Sequence, residues 1–179
     1  MLTSYLVKLA LPVLGCAVGL RAAQRRGLSL ESEIGLRAPR LVSAAWWGLL
    51  WLAWLAVSEW VIVRLELAQA ETWPAIAGAA LAARVAALVI SGPAAEEFVA
   101  RGLGLALLRR RGWPPMVALT ATAAIWAAAH YRYGWGTVLL MTIDGLLLGG
   151  ARLTSGSLWV PFGMHAIANA LSVMQSLGW

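Results

Sequence analysis

Apolar runs close to the length of a bilayer crossing follow one another along almost the whole chain, from Leu2–Leu20 to about Leu158–Leu177. A helix needs about twenty such residues to cross the hydrocarbon layer, and inside lipid a helix satisfies its own backbone polar groups. Composition agrees with that reading: 61% of the 179 residues are hydrophobic and 12% are charged, against about 45–50% and about 25% in a soluble domain. The expected fold is all-α, a polytopic transmembrane helix bundle of about six to seven spans. Residues 1–179 then form a single integral membrane domain, set in a multi-pass fashion in the cell membrane.

The net charge of +6 comes from arginines placed between the apolar runs. That pattern suits anionic lipid headgroups, so membrane lipids are expected partners. Basic and aromatic residues do not interleave as they do in single-strand binders, which argues against nucleic acid. A lone cysteine, Cys16, excludes an internal disulfide and a cysteine-rich metal site. Val13-Leu14-Gly15-Cys16 loosely resembles a lipoprotein cleavage box, but the expectation is a first transmembrane helix with an inert thiol.

Between the first span and a second at Leu41–Val63 lie Arg21, Arg25, Arg26, Arg37 and Arg40, the strongest positive cluster and therefore the cytoplasmic one. Ser29–Leu36 reads as a short helix lying on the membrane. Trp46, Trp47, Trp51 and Trp54 share a face of the second span for packing or lipid contact. Glu59 is expected at the interface, Arg64–Pro74 as an external loop, and Ala75–Ser91 as a third segment rich in small residues such as Ala77. Arg84 should face the bundle or a partner such as Glu59 or Asp144. Further spans are expected at Pro114–Tyr131, at Trp135–Leu153 with a flexible Gly145, Gly149, Gly150 stripe, and from Leu158 onward. No internal repeat of the kind transporters carry is seen.

Gly92-Pro93-Ala94-Ala95-Glu96-Glu97-Phe98-Val99-Ala100-Arg101-Gly102 sets two adjacent carboxylates and an arginine in sequence otherwise fit for lipid. Ionised groups at that depth are costly and mark function. A helix break is expected at Gly92-Pro93, with Ser91 or Gly92 as cap and both acids in the first turn of the new helix. Glu97 and Arg101 are four residues apart and can pair, while Glu96, about 100° further round, is free to face something else. If the two sides of Pro93 are separate crossings, Arg109–Arg111 fall opposite the first arginine cluster; if they form one long element, both clusters share a side.

Other polar groups at depth are His130, Asp144, His165 and Asn169. A carboxylate with an imidazole can take a proton from water, and a second imidazole with an amide one turn away can donate to an oxyanion. Glu96-Glu97-x-x-x-Arg101, Trp126-x-x-x-His130 and His165-x-x-x-Asn169 together resemble the EExxxR, FxxxH and HxxxN signature of the CAAX-protease and bacteriocin-processing family of intramembrane endopeptidases. The likeness runs from about Ser91 to Leu171. Trp126 departs from the usual Phe but keeps an aromatic, and the N-terminal half is short.

The resemblance implies N-terminal helices over 1–74 and catalytic core helices over 75–179. It implies a protease in which Glu96 and His130 activate water, His165 and Asn169 stabilise the oxyanion, and Glu97, Arg101 and Trp126 support them. It also implies a membrane-associated substrate: a C-terminal sorting tail, a leader peptide or a prenylated tail, met in a bacterial inner or plasma membrane. Family members are described both as zinc enzymes and as glutamate-dependent ones. No cofactor is favoured here, since Asn169 is a poor zinc ligand and no HExxH helix exists; a zinc enzyme would use Glu96, His130 and His165. The alternative reading is a non-catalytic membrane scaffold or immunity protein on the same fold.

Overall fold

The computed structural model describes residues 2–67, 72–73, 75–76 and 78–178. The chain forms α1 (Leu2–Arg25), α2 (Leu41–Arg64), α3 (Gly78–Arg110), α4 (Pro115–Ala128), α5 (Trp135–Ser155) and α6 (Trp159–Ser176). No strand occurs among the described residues. Helices α1, α2, α3 and α5 are each long and apolar enough to cross a membrane, and α4 is apolar but shorter, at 14 residues.

The expected break at Gly92-Pro93 is a widened turn inside one column. Helix α3 runs 33 residues without interruption, and its turns loosen to i→i+5 bonding at Ala87–Ser91 and again at Phe98–Gly104. Proline explains the first of these. In the widened register Gly92 N–H donates to the Ala87 carbonyl, and the next bond would run from residue 93 to the Leu88 carbonyl. Pro93 has no N–H to give. The Leu88 oxygen accepts instead from the Asn169 amide of α6, at 2.8 Å. Ser91 is helical and caps nothing; its hydroxyl bonds back to the Ala87 carbonyl at 3.4 Å. Glu96 and Glu97 therefore sit in mid-column, out of reach of a helix N-terminus and its dipole.

Continuity of α3 also decides which arginines share a face. Arg110 at its end forms an ion pair with Glu33 at 2.5 Å and donates to the Arg26 and Gly27 carbonyls at 2.8 and 2.6 Å. Both arginine clusters thus lie on one side of the bundle. Arg152 of α5 joins them, donating to the Ile34 and Glu33 carbonyls at 3.1 and 2.7 Å, and Arg37 donates to the Gly156 carbonyl at 3.0 Å. Ser29 caps a single wide turn over Leu30–Ile34, and this segment is packed into the end of the bundle through one of its faces. Ile34 and Leu28 are buried with Ala23, Phe98 and Leu158, because two arginine side chains tie the turn into the bundle.

The opposite end is held by aromatic residues. The Arg84 guanidinium stands 3.7 Å from the centre of the Trp73 ring and donates to the Tyr5 hydroxyl at 3.3 Å, a cation–π arrangement. It does not use Glu59, which is exposed, or Asp144. Trp73 N–H bonds the Ser176 carbonyl at 2.9 Å. Of the loop expected over Arg64–Pro74, residues 68–71 and Pro74 lie outside the described residues, as does Ala77.

Between the two ends α2, α5 and α6 pack through Trp51, Leu148, Ala151, Val160 and Met164. The glycine stripe of α5 serves close approach to α4 rather than flexibility: a Cβ on Gly145 would lie 2.9 Å from Ala123 Cβ, and one on Gly149 would collide with the Leu119 side chain.

Candidate active site

The stretch of α3 between its two wide turns presents its acids to different neighbours, as residues about 100° apart on a helix must. Glu97 faces inward and is fully buried. Its Oε1 accepts from Arg101 Nη1 at 2.9 Å and from His165 Nδ1 at 2.8 Å. Arg101, also buried, donates from Nη2 to the Gly145 carbonyl at 3.5 Å, and its guanidinium lies 4.5 Å from the centre of the Trp126 ring. The bare Cα of Gly145 leaves space for that contact. The i,i+4 pairing expected of Glu97 and Arg101 is thus formed, with His165 as a third member.

Glu96 faces outward, its side chain 38% exposed. Its Oε2 accepts the Trp126 indole N–H at 2.7 Å and stands 4.0 Å from both His130 Nε2 and His165 Nε2. His130 follows the last turn of α4, one turn after Trp126, so the two side chains meet on one face. The partners of the Nδ1 atoms set the tautomers. His130 Nδ1 lies 2.9 Å from the Trp126 carbonyl, and His165 Nδ1 lies against a carboxylate. Each neighbour accepts hydrogen bonds, so each Nδ1 is assigned the proton. In the neutral rings both Nε2 atoms then turn lone pairs toward Glu96.

Helices α3, α4 and α6 thus bring together Glu96, Glu97, Arg101, Trp126, His130 and His165. Asn169 lies one turn beyond His165 but spends one amide hydrogen on the Leu88 carbonyl, tying α6 to the wide turn of α3. Asp144 lies behind this cluster, close enough to feel the charges of His165 and Arg101, and its side chain accepts the Trp54 indole N–H at 2.5 Å. Sequence reading made Trp126 a supporting residue and Trp54 a packing or lipid-facing one, and the hydrogen bonds of both were missed. A signal existed: a tryptophan buried in an apolar helix must place its N–H somewhere.

No group of three His, Cys, Asp or Glu side chains among the described residues is arranged to hold a metal ion. Zinc bonds of about 2.0–2.1 Å place tetrahedral ligands about 3.3 Å apart, and the Glu96, His130 and His165 atoms stand 4.0 Å apart across the carboxylate. Glu96 Oε2 thus stands farther from either imidazole than zinc ligands stand from one another.

A family model described as type II CAAX prenyl endopeptidase Rce1-like matches residues 78–171. The matched stretch begins with α3 and ends in α6 two residues past Asn169, covering more than half of the chain. No curated protein and no solved structure matches it.

Proposed function

We propose that this chain, which belongs to the type II CAAX prenyl endopeptidase Rce1-like family, hydrolyses a peptide bond in a membrane-associated protein or peptide tail by carboxylate–imidazole chemistry. The observation that carries the proposal is the position of Glu96 Oε2, 4.0 Å from two imidazole Nε2 atoms. One water molecule within about 2.8 Å of all three atoms could give one proton to Glu96 while its second is held by His130. Its oxygen would attack the peptide carbonyl carbon, and Glu96 would carry the proton away.

Charge then develops on the former carbonyl oxygen. Glu97 orients the His165 ring through Nδ1, which leaves the Nε2 edge facing the site, where a proton on Nε2 could be donated to that oxygen. Asn169 keeps a second amide hydrogen for the same purpose. The C–N bond breaks as the proton held by Glu96 passes to the departing amine. Arg101 offsets the charge of Glu97 inside the bundle.

Cleavage of membrane-anchored peptides by the solubilised protein tests this reading. Glu96→Gln keeps the shape and should lower the rate by about 10²–10⁴-fold; full activity in that variant would remove Glu96 from the role of base. Metal analysis of active wild-type protein addresses the metal-free choice separately, and stoichiometric zinc would overturn it.

A further inference from the structure

The cluster is not placed symmetrically between the two faces of the bundle. Toward the arginine-rich face Leu105, Leu119 and Leu148 are buried, and a cavity of about 260 Å³ lined by Leu20, Leu36, Phe98 and Leu158 reaches Glu97 but neither Glu96 nor the two histidines. Toward the other face α3 continues 12 residues from Glu96 to Arg84 and α6 continues 11 from His165 to Ser176, about 16–18 Å of helix. Helix α4 does not accompany them. It ends at Ala128, and above His130 the chain makes one tight turn over Tyr131–Tyr133 before α5 starts at Trp135.

Every residue from Tyr131 to Trp135 is exposed. Tyr133 stacks on the His130 ring with centroids 6.1 Å apart. Tyr and Trp favour the membrane–water boundary, and a charged Arg132 two residues from His130 requires water near it. The short column therefore leaves a recess that water can enter from one face, whereas the cavity on the other side is lined by apolar side chains and meets the site at the buried Glu97 alone.

The faces themselves can be told apart. Arg21, Arg25, Arg26, Arg37, Arg40, Arg109, Arg110 and Arg111 gather on the cavity side, diluted by Glu31 and Glu33. Lys8, Arg64, Arg84 and Arg132 lie toward the open side, with Glu59 and Glu66 to offset them. An excess of arginine marks the cytoplasmic side. We infer that the site opens to the extracytoplasmic face, so that its substrate is a membrane-anchored tail whose scissile bond is presented from outside the cytoplasm. This inference rests on the protease reading for the reaction and on topology alone for the direction.

Single-cysteine variants in a Cys16→Ser background, which removes the one native thiol, decide the direction. In spheroplasts of an expressing bacterium, Arg132→Cys should react with a membrane-impermeant maleimide before permeabilisation and Arg25→Cys only after it. Sealed vesicles sorted by those labels are then given a lipid-anchored, quenched-fluorescence peptide that the solubilised protein cleaves. Cleavage should appear when Arg132 faces outward and be lost when Arg25 does. Reversed labelling, or cleavage confined to vesicles with Arg25 outward, would overturn the inference. If the solubilised protein cleaves no peptide, the protease reading fails and the labelling still decides which way the recess faces.

Discussion

Two neighbouring acids, one bond apart in the backbone chain of α3, live in opposite surroundings. Glu97 is buried, shared between Arg101 and His165, and its flank of the site is closed. Glu96 is partly exposed, held by one indole N–H, and faces two imidazole nitrogens at a distance wider than a hydrogen bond. The closed flank has every reason to stay still, because a buried charge that loses its partner is costly. The open flank has an acceptor set that a substrate or a water molecule can still enter. Bracing and chemistry are thereby divided between two consecutive residues.

Four experiments would break or sharpen that division. The largest effect is expected on the open flank, where Glu96→Gln should lower cleavage by about 10²–10⁴-fold with the melting temperature nearly unchanged; a large loss of stability would instead show that Glu96 belongs to the brace. On the closed flank, Arg101→Met leaves Glu97 buried without its cation, with only the His165 ring as partner, and should cost about 3–5 kcal/mol, read by thermal or denaturant unfolding in detergent. Adding Glu97→Leu should restore most of that stability and none of the activity, because His165 then lacks the acceptor that orients its ring. Recovery of cleavage in the double variant would contradict the orienting role.

Trp126→Phe comes next. It keeps an aromatic ring beside Arg101 and removes the N–H that holds Glu96. A hydrogen bond to a charged group contributes about 1.5–3 kcal/mol, so kcat should fall by at least about tenfold with KM little changed. An unchanged kcat would mean that Glu96 is positioned without the indole. The smallest effect belongs to the surface. Hydrogen bonds from Arg110 and the Ser29 backbone hold the Glu33 carboxyl below its ordinary value of 4.5. A carboxyl so lowered stabilises the fold fully above that ordinary value, and the contribution is lost as pH falls through the lowered one. Glu33→Gln should therefore leave activity alone and slightly reduce stability near neutral pH, with the difference fading in acid and in high salt.

Much of this was legible in the chain. The apolar runs gave the helical bundle, and the i,i+4 spacing gave the Glu97–Arg101 pair and the meeting of Trp126 with His130. Spacing could not say how Pro93 would be accommodated. A proline ends a helix when its missing bond has no remedy, and here the remedy came from a carboxamide 76 residues further on: Asn169 takes up the Leu88 carbonyl. For Arg84 the sequence left open the bundle interior or a carboxylate such as Glu59 or Asp144, and packing offered it the faces of Trp73 and Tyr5. The glycine stripe of α5 reads as flexible in isolation and proved to be a set of contact points, Gly145 and Gly149 for α4 and Gly150 for Trp47 of α2.

The sequence by itself determined the solvent of this protein, the helices and the residue types able to do acid–base chemistry, since periodicity and hydropathy are local properties. Which face each arginine cluster occupies, which of two adjacent acids is free, and where water reaches the site were decided by the tertiary structure. Those depend on helices far apart in the chain meeting at fixed depth, and above all on α4 ending short beside neighbours that continue.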